Sequence, residues 1–60
     1  MTMTDMMVEG GWQLTAQGYI KGPWRIYHAE TWCAAFRDYL VRGKFPDELT
    51  AAQWIDGEVF

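Results

Sequence analysis

With a single cysteine, Cys33, and a single histidine, His28, the chain can neither close a disulfide on itself nor supply four ligands to a structural zinc ion. A free thiol without a disulfide framework agrees with a reducing compartment. No stretch approaches about 18 consecutive apolar residues, the length of a membrane-spanning helix. Asp5 and Glu9 stand where a secretory leader would be basic and then apolar, so a soluble, cytoplasmic protein with no membrane contact is expected. Lys and Arg are absent from residues 1–20 and 45–60, which makes both ends acidic and gathers every cation between Lys21 and Lys44. The glycines at Gly10-Gly11 and Gly18 to Gly22 lack the spacing and the following helix of a phosphate loop. No segment repeats, and no linker divides the sequence.

Aromatic side chains are what the chain has in surplus, with four Trp, three Tyr and three Phe among its 60 residues. A domain this short hides only about 60% of its unfolded surface, so its core must come from side chains that bury much area each. The strongest local pattern runs from Ala29 to Gly43. At 100° per residue, Ala29, Trp32, Cys33, Phe36, Tyr39 and Leu40 share an arc of about 120°, with Glu30, Thr31, Ala34, Arg37, Asp38, Val41 and Arg42 behind. This spacing predicts an amphipathic helix closed by Gly43, with Arg42 and Lys44 at the negative end of its dipole.

Between Gly11 and His28 the period shortens to two. Trp12, Leu14 and Ala16 alternate with Gln13 and Thr15, and Trp24 and Ile26 alternate with Arg25 and Tyr27, as in strands of a half-solvated antiparallel sheet. Gln17-Gly18 and Gly22-Pro23 mark turns, and Tyr19 to Lys21 offer a third strand, so either a hairpin or a three-stranded meander fits. Residues 1–10 carry four Met and no aromatic ring, which gives little reason for fixed structure before Val8. Near the other end, Thr50 and Gln53 match a capping box, with Leu49 and Trp54 placed as a staple, and a short helix from Ala51 to Asp56 ended by Gly57 is expected. Val59 and Phe60 are then expected to pair as an edge or tuck onto the core. The fold class that results is α+β: a small two- or three-stranded antiparallel sheet packed on one amphipathic helix, followed by a short second helix. Residues 11–60 form its single compact domain, after a flexible N-terminal segment of residues 1–10.

Catalytic groups are scarce. A thiolate at Cys33 beside the His28 imidazole would be a nucleophile, but the helical stripe turns Cys33 toward the core as a small hydrophobe. Asp47 and Glu48 are adjacent and diverge, so no acid–base pair is expected. No enzyme, cofactor or metal site is therefore expected, and the function sought is one of binding. Lys21, Arg25, Arg37, Arg42 and Lys44 lie near Trp24 and Tyr27, the interleaving of cations and aromatics used on single-stranded nucleic acids. The net charge of −3 opposes that reading, because phosphate neutralisation supplies most of the affinity in such complexes. The alternatives are a nucleic-acid-binding module built on this basic middle segment and a structural or assembly subunit.

The charge suits the reverse role better. Glu9, Glu30, Asp47, Glu48, Asp56 and Glu58 have no evident local partner, and Trp24 and Tyr27 are candidate aromatic anchors. In its small size, acidity, aromatic surplus and lack of a catalytic constellation, the chain resembles the small phage-borne inhibitors called anti-CRISPR proteins, some of which mimic DNA with acidic surfaces. The resemblance rests on these class properties and on no residue motif. It implies a protein partner, a bacterial nucleic-acid-handling effector with a basic groove, and transfers no functional residue; the eight residues are expected at the interface from their charge and aromatic character, in a monomer or homodimer without direct contact to nucleic acid.

Overall fold

Capping comes first along the chain. In the computed structural model, which describes residues 1–59, the Thr2 hydroxyl accepts from the Asp5 backbone N–H at 3.1 Å and the Asp5 carboxylate accepts from the Thr2 N–H at 3.3 Å. This reciprocal pair starts helix α1, Met3–Glu9, where composition alone gave little reason for fixed structure. Met7 is buried on its inner side, and Gly10 donates back to the Met6 and Met7 carbonyls to end it.

Strands β1 (Gln13–Thr15), β2 (Gly18–Lys21), β3 (Trp24–Ala29), β4 (Thr31–Phe36) and β5 (Tyr39–Phe45) follow in a meander, each antiparallel to the next. Helix α2, Glu48–Val59, closes the order. The five-stranded sheet overturns the expectation of two or three strands on a central helix. Ala29 to Gly43, read as that helix, instead supplies β4 and β5, joined at Arg37-Asp38, which adopt φ of 50° and 69°.

The register shows why the helical period misled. Trp32, Ala34 and Phe36 pair with Phe45, Arg42 and Tyr39, so all six side chains share one face. On β5 those partners recur every third residue, because the pairing slips by a residue between Ala35 and Ala34 and again between Ala34 and Trp32. The two-residue turn separates Phe36 from Tyr39 by the same three positions. A strand period stretched from two to three in this way imitates a helical face.

Both helices cover the face that carries Tyr19, Trp24, Ile26, Ala34 and Phe45, and these side chains form one cluster with Met7, Trp12, Ala51, Ala52 and Ile55. Ala51 and Ala52 bring α2 close to the sheet, and Trp54 meets Trp24 edge-on at 6.3 Å and Phe45 at 5.8 Å. Asp47 caps α2, its Oδ1 accepting from the Thr50 backbone N–H at 2.7 Å, so the cap lies three residues before the expected Thr50 and the helix begins at Glu48 rather than Ala51. It also runs through Gly57. The expected packing of Phe60 lies outside the described residues, and Val59 belongs to α2 rather than to an edge strand.

The opposite face has no helix over it. Arg25, Tyr27, Cys33, Ala35 and Leu40 lie there by register, and Cys33 and Ala35 are buried without belonging to the main cluster. Cys33 therefore shares no face with His28, which pairs with Trp32 on the helix-covered side.

This inversion gives a stability test. Ile26 is fully buried and Leu40 is 61% exposed, so Ile26→Ala is expected to cost about 2–5 kcal/mol, enough to unfold much of a domain this small. Leu40→Ala is expected to change stability by less than about 0.5 kcal/mol. Equilibrium denaturation of the two variants checks both, and a central helix with Leu40 on its core stripe would reverse their order.

Candidate functional site

The eight residues singled out by the sequence do not converge on one patch. Trp24 is buried in the core against Phe36 and Trp54, so it cannot anchor a partner without unfolding. Tyr27 is half-buried on the uncovered sheet face, where the Arg25 guanidinium lies 5.3 Å from its ring. Glu30 is exposed at the tight turn between β3 and β4, with φ of 64°. The other five carboxylates belong to the helical layer: Glu9 ends α1, Asp47 caps α2, and Glu48, Asp56 and Glu58 ride on α2.

Several of these acids already have internal work. The Tyr19 hydroxyl lies 3.1 Å from the Thr4 hydroxyl and donates to Glu48 Oε1 at 3.5 Å, so the starts of α1 and α2 meet over β2. Asp56 Oδ1 lies 3.5 Å from Lys21 Nζ. Asp47 is held below the usual carboxylate range chiefly by the Thr50 backbone N–H, then by the Thr50 hydroxyl, against a smaller opposing effect of burial. Among the described residues, Glu9, Glu30 and Glu58 have no hydrogen-bond or ion-pair partner.

Cations are confined to the sheet and its turns, yet they form no continuous track. Arg42 lies 5.2 Å from the Phe45 ring and 5.5 Å from Trp54 on the helix-covered face. Lys21 is on that same face, beside Asp56 and 5.8 Å from the Trp12 ring. Arg25 is on the other face, 3.8 Å from Asp38, and Arg37 stands at the β4–β5 turn over Phe36 at 5.4 Å.

An open pocket of about 440 Å³ is lined by Ala16, Gln17, Gly18, Arg25, Tyr27, His28 and Trp32. It forms because β2 begins at Gly18, while β3 runs on past it through Tyr27 and His28. Gly18 has φ of 113°, and a β-carbon there would collide with the Ile26 carbonyl oxygen, so only glycine lets the turn close against β3. His28 stands edge-on to Trp32 at 5.0 Å between ring centroids.

No family model, curated protein or solved structure matches the chain. Among the described residues, no three His, Cys, Asp or Glu side chains gather as a metal site, and no helix is long and apolar enough to cross a membrane. What the chain can do is therefore argued from its own surface. His28 and Trp32 were missed as site residues because the helical reading separated them. A tight turn at Glu30 would have set them opposite each other, and the strand period through Trp24 to His28 was the available signal.

The Asp47 cap yields a pH prediction. Its folded-state pKa is depressed, so its contribution to stability is fully present above the unfolded value near 3.8 and is lost as pH falls through the lower folded value. Asp47→Ala is expected to lower the melting temperature at pH 7. The gap between variant and wild type should narrow as melts are recorded below pH 3.8, and a gap independent of pH would contradict the charged cap.

Proposed function

We propose that the chain is a non-enzymatic binding protein that inhibits a nucleic-acid-handling protein by placing its acidic helical layer in that partner's basic groove. The observation that carries this reading is the separation of charge by layer. Residues 1–20 and 45–60, which supply both helices, contain Asp5, Glu9, Asp47, Glu48, Asp56 and Glu58 and no Lys or Arg. Carboxylates on a firm scaffold match a groove shaped for phosphates, and the field they share speeds encounter with a cationic surface. This is how the acidic members of the anti-CRISPR class work, and a cytoplasmic monomer or homodimer without a cofactor suits that role.

Within the layer, Glu9 and Glu58 are the best placed to act, because neither is spent on a cap, a hydroxyl or an ion pair. Glu30 adds a third unpaired carboxylate at the β3–β4 turn. The sheet cations favour no second reading. Their dispersal over two faces and a turn gives no path along which successive phosphates could run.

A triple variant, Glu9→Lys, Glu30→Lys and Glu58→Lys, tests the proposal without touching a cap or the core. Wild type immobilised on beads is expected to retain nucleic-acid-binding proteins from a bacterial lysate, and added duplex DNA should compete them off. The variant should keep its circular dichroism spectrum and lose that capture. Equal capture by both proteins, or capture indifferent to DNA and to salt, rules the acidic layer out as the binding surface.

A further inference from the structure

We infer that the corner pocket between the β1–β2 turn and the end of β3 is a binding site for a single nucleoside monophosphate. The site is distinct from the acidic layer, and its argument stands apart from the inhibitory role.

Its walls supply the two kinds of contact that such a ligand needs. Trp32 and His28 form an aromatic corner, at 5.0 Å and 60° to each other, in which a flat base can stack against one ring and meet the edge of the other. Tyr27 offers a third ring, from the opposite face at the end of β3, with the Arg25 guanidinium over it at 5.3 Å. Gln17, exposed on the turn, carries both an amide donor and an acceptor for the edge of a base. The pocket volume of about 440 Å³ falls in the range of about 300–1,000 Å³ typical of small-molecule sites.

Arg25 supplies the anion-binding group. Its Nε is buried out of a ligand's reach, so the Nη groups are the available donors, and Nη1 has only the Asp38 carboxylate at 3.8 Å. The Asp38 side chain is 88% exposed, and a solvent-screened pair of this kind contributes little. A phosphate that accepts two N–H bonds from the guanidinium would replace that weak contact with the geometry arginine is shaped for.

A strand of nucleic acid does not fit equally well. Beyond Arg25 no Lys or Arg among the described residues lines this corner: Lys21 lies beside Asp56, Arg42 lies over Phe45 and Trp54, and Arg37 stands over Phe36. One guanidinium beside one aromatic corner recognises one base and one phosphate, and the chain's net charge of −3 repels the remainder of a polyanion.

Titration of the full chain with AMP, GMP, CMP and UMP, followed by tryptophan fluorescence and by amide chemical shifts, tests the site. At least one of the four is expected to saturate at a dissociation constant below about 1 mM, with shifts centred on Gln17, Gly18, Tyr27, His28 and Trp32. The matching nucleoside and inorganic phosphate should each bind about tenfold or more weakly, and Arg25→Gln and His28→Ala should each weaken the nucleotide by a similar factor. His28 is exposed, so its variant keeps the test open if Arg25→Gln fails to fold. Absence of saturation by all four up to about 10 mM, or affinity unchanged in His28→Ala, overturns the proposal. An eight-nucleotide single strand distinguishes a free nucleotide from a nucleotide within a strand. Binding no tighter per site than the monomer supports the single-unit site, whereas much tighter, steeply salt-dependent binding would overturn it in favour of a strand track.

Discussion

The structure depends on covering one face of a single sheet, and Trp24 stands at the centre of that contact. Its indole lies 5.0 Å from Phe36 within the sheet and 6.3 Å from Trp54 on α2, so one side chain couples the two layers. Ala51 and Ala52 matter because they are small: larger residues there would hold the helix away and part Trp54 from Trp24 and Phe45. α1 fills the remaining edge with Met7, beside Trp12. In a chain too short for a second core, this leaves the other sheet face to be shielded by its own side chains alone.

How much of this could be read in the sequence depends on how each element signals itself. Trp24, Ile26 and their polar alternates Arg25 and Tyr27 announced β3 correctly, because an unbroken strand keeps a period of two. The failure fell on β4 and β5, where a turn made of Arg37-Asp38 lacks the glycine that usually marks a two-residue hairpin. With that mark missing and two register slips downstream, spacing alone favoured a helix over two strands. The capping signals were local and partly legible. A Thr-x-x-Asp box at Thr2 was present but passed over, and at α2 the reading chose Thr50 although Asp47, one helical turn earlier, is the residue that caps. The predicted site residues fared in the same way. Carboxylates on the two helices could be grouped by charge, while Trp24 could not be known as buried, nor His28 and Trp32 as neighbours, without the meander.

The two register slips also explain the shape of the surface. An edge strand that slips register twice twists away from a partner and offers fewer regular hydrogen-bonding groups to another sheet. β5 does this while exposing Tyr39, Leu40 and Val41, and Arg42 and Lys44 follow them directly. The irregularity that hid the strand from a periodicity argument thus guards the exposed edge against pairing with other chains. At the opposite corner, β1 and β2 are short, and the early start of β2 at Gly18 leaves the end of β3 uncovered. A concavity follows from that mismatch of strand lengths alone.

Charge is divided by the same topology. The ends of the chain form the helices and the middle forms the sheet, so an acidic–basic–acidic order along the sequence becomes an acidic layer stacked on a basic one. Part of the acidity serves the fold: Asp5 and Asp47 satisfy helix N-termini, where negative charge is favourable, and Glu48 accepts from Tyr19. These carboxylates cannot be turned outward without releasing a backbone or hydroxyl donor. Asp56 differs, because its contact with Lys21 is long and exposed and is weakened by salt. A cationic partner could draw Asp56 away from Lys21 at little cost, adding it to Glu9 and Glu58. The acidic layer therefore has a fixed part that holds the helices in place and an adaptable part on which the proposed recognition would draw, and the geometry of each carboxylate's nearest donor decides to which it belongs.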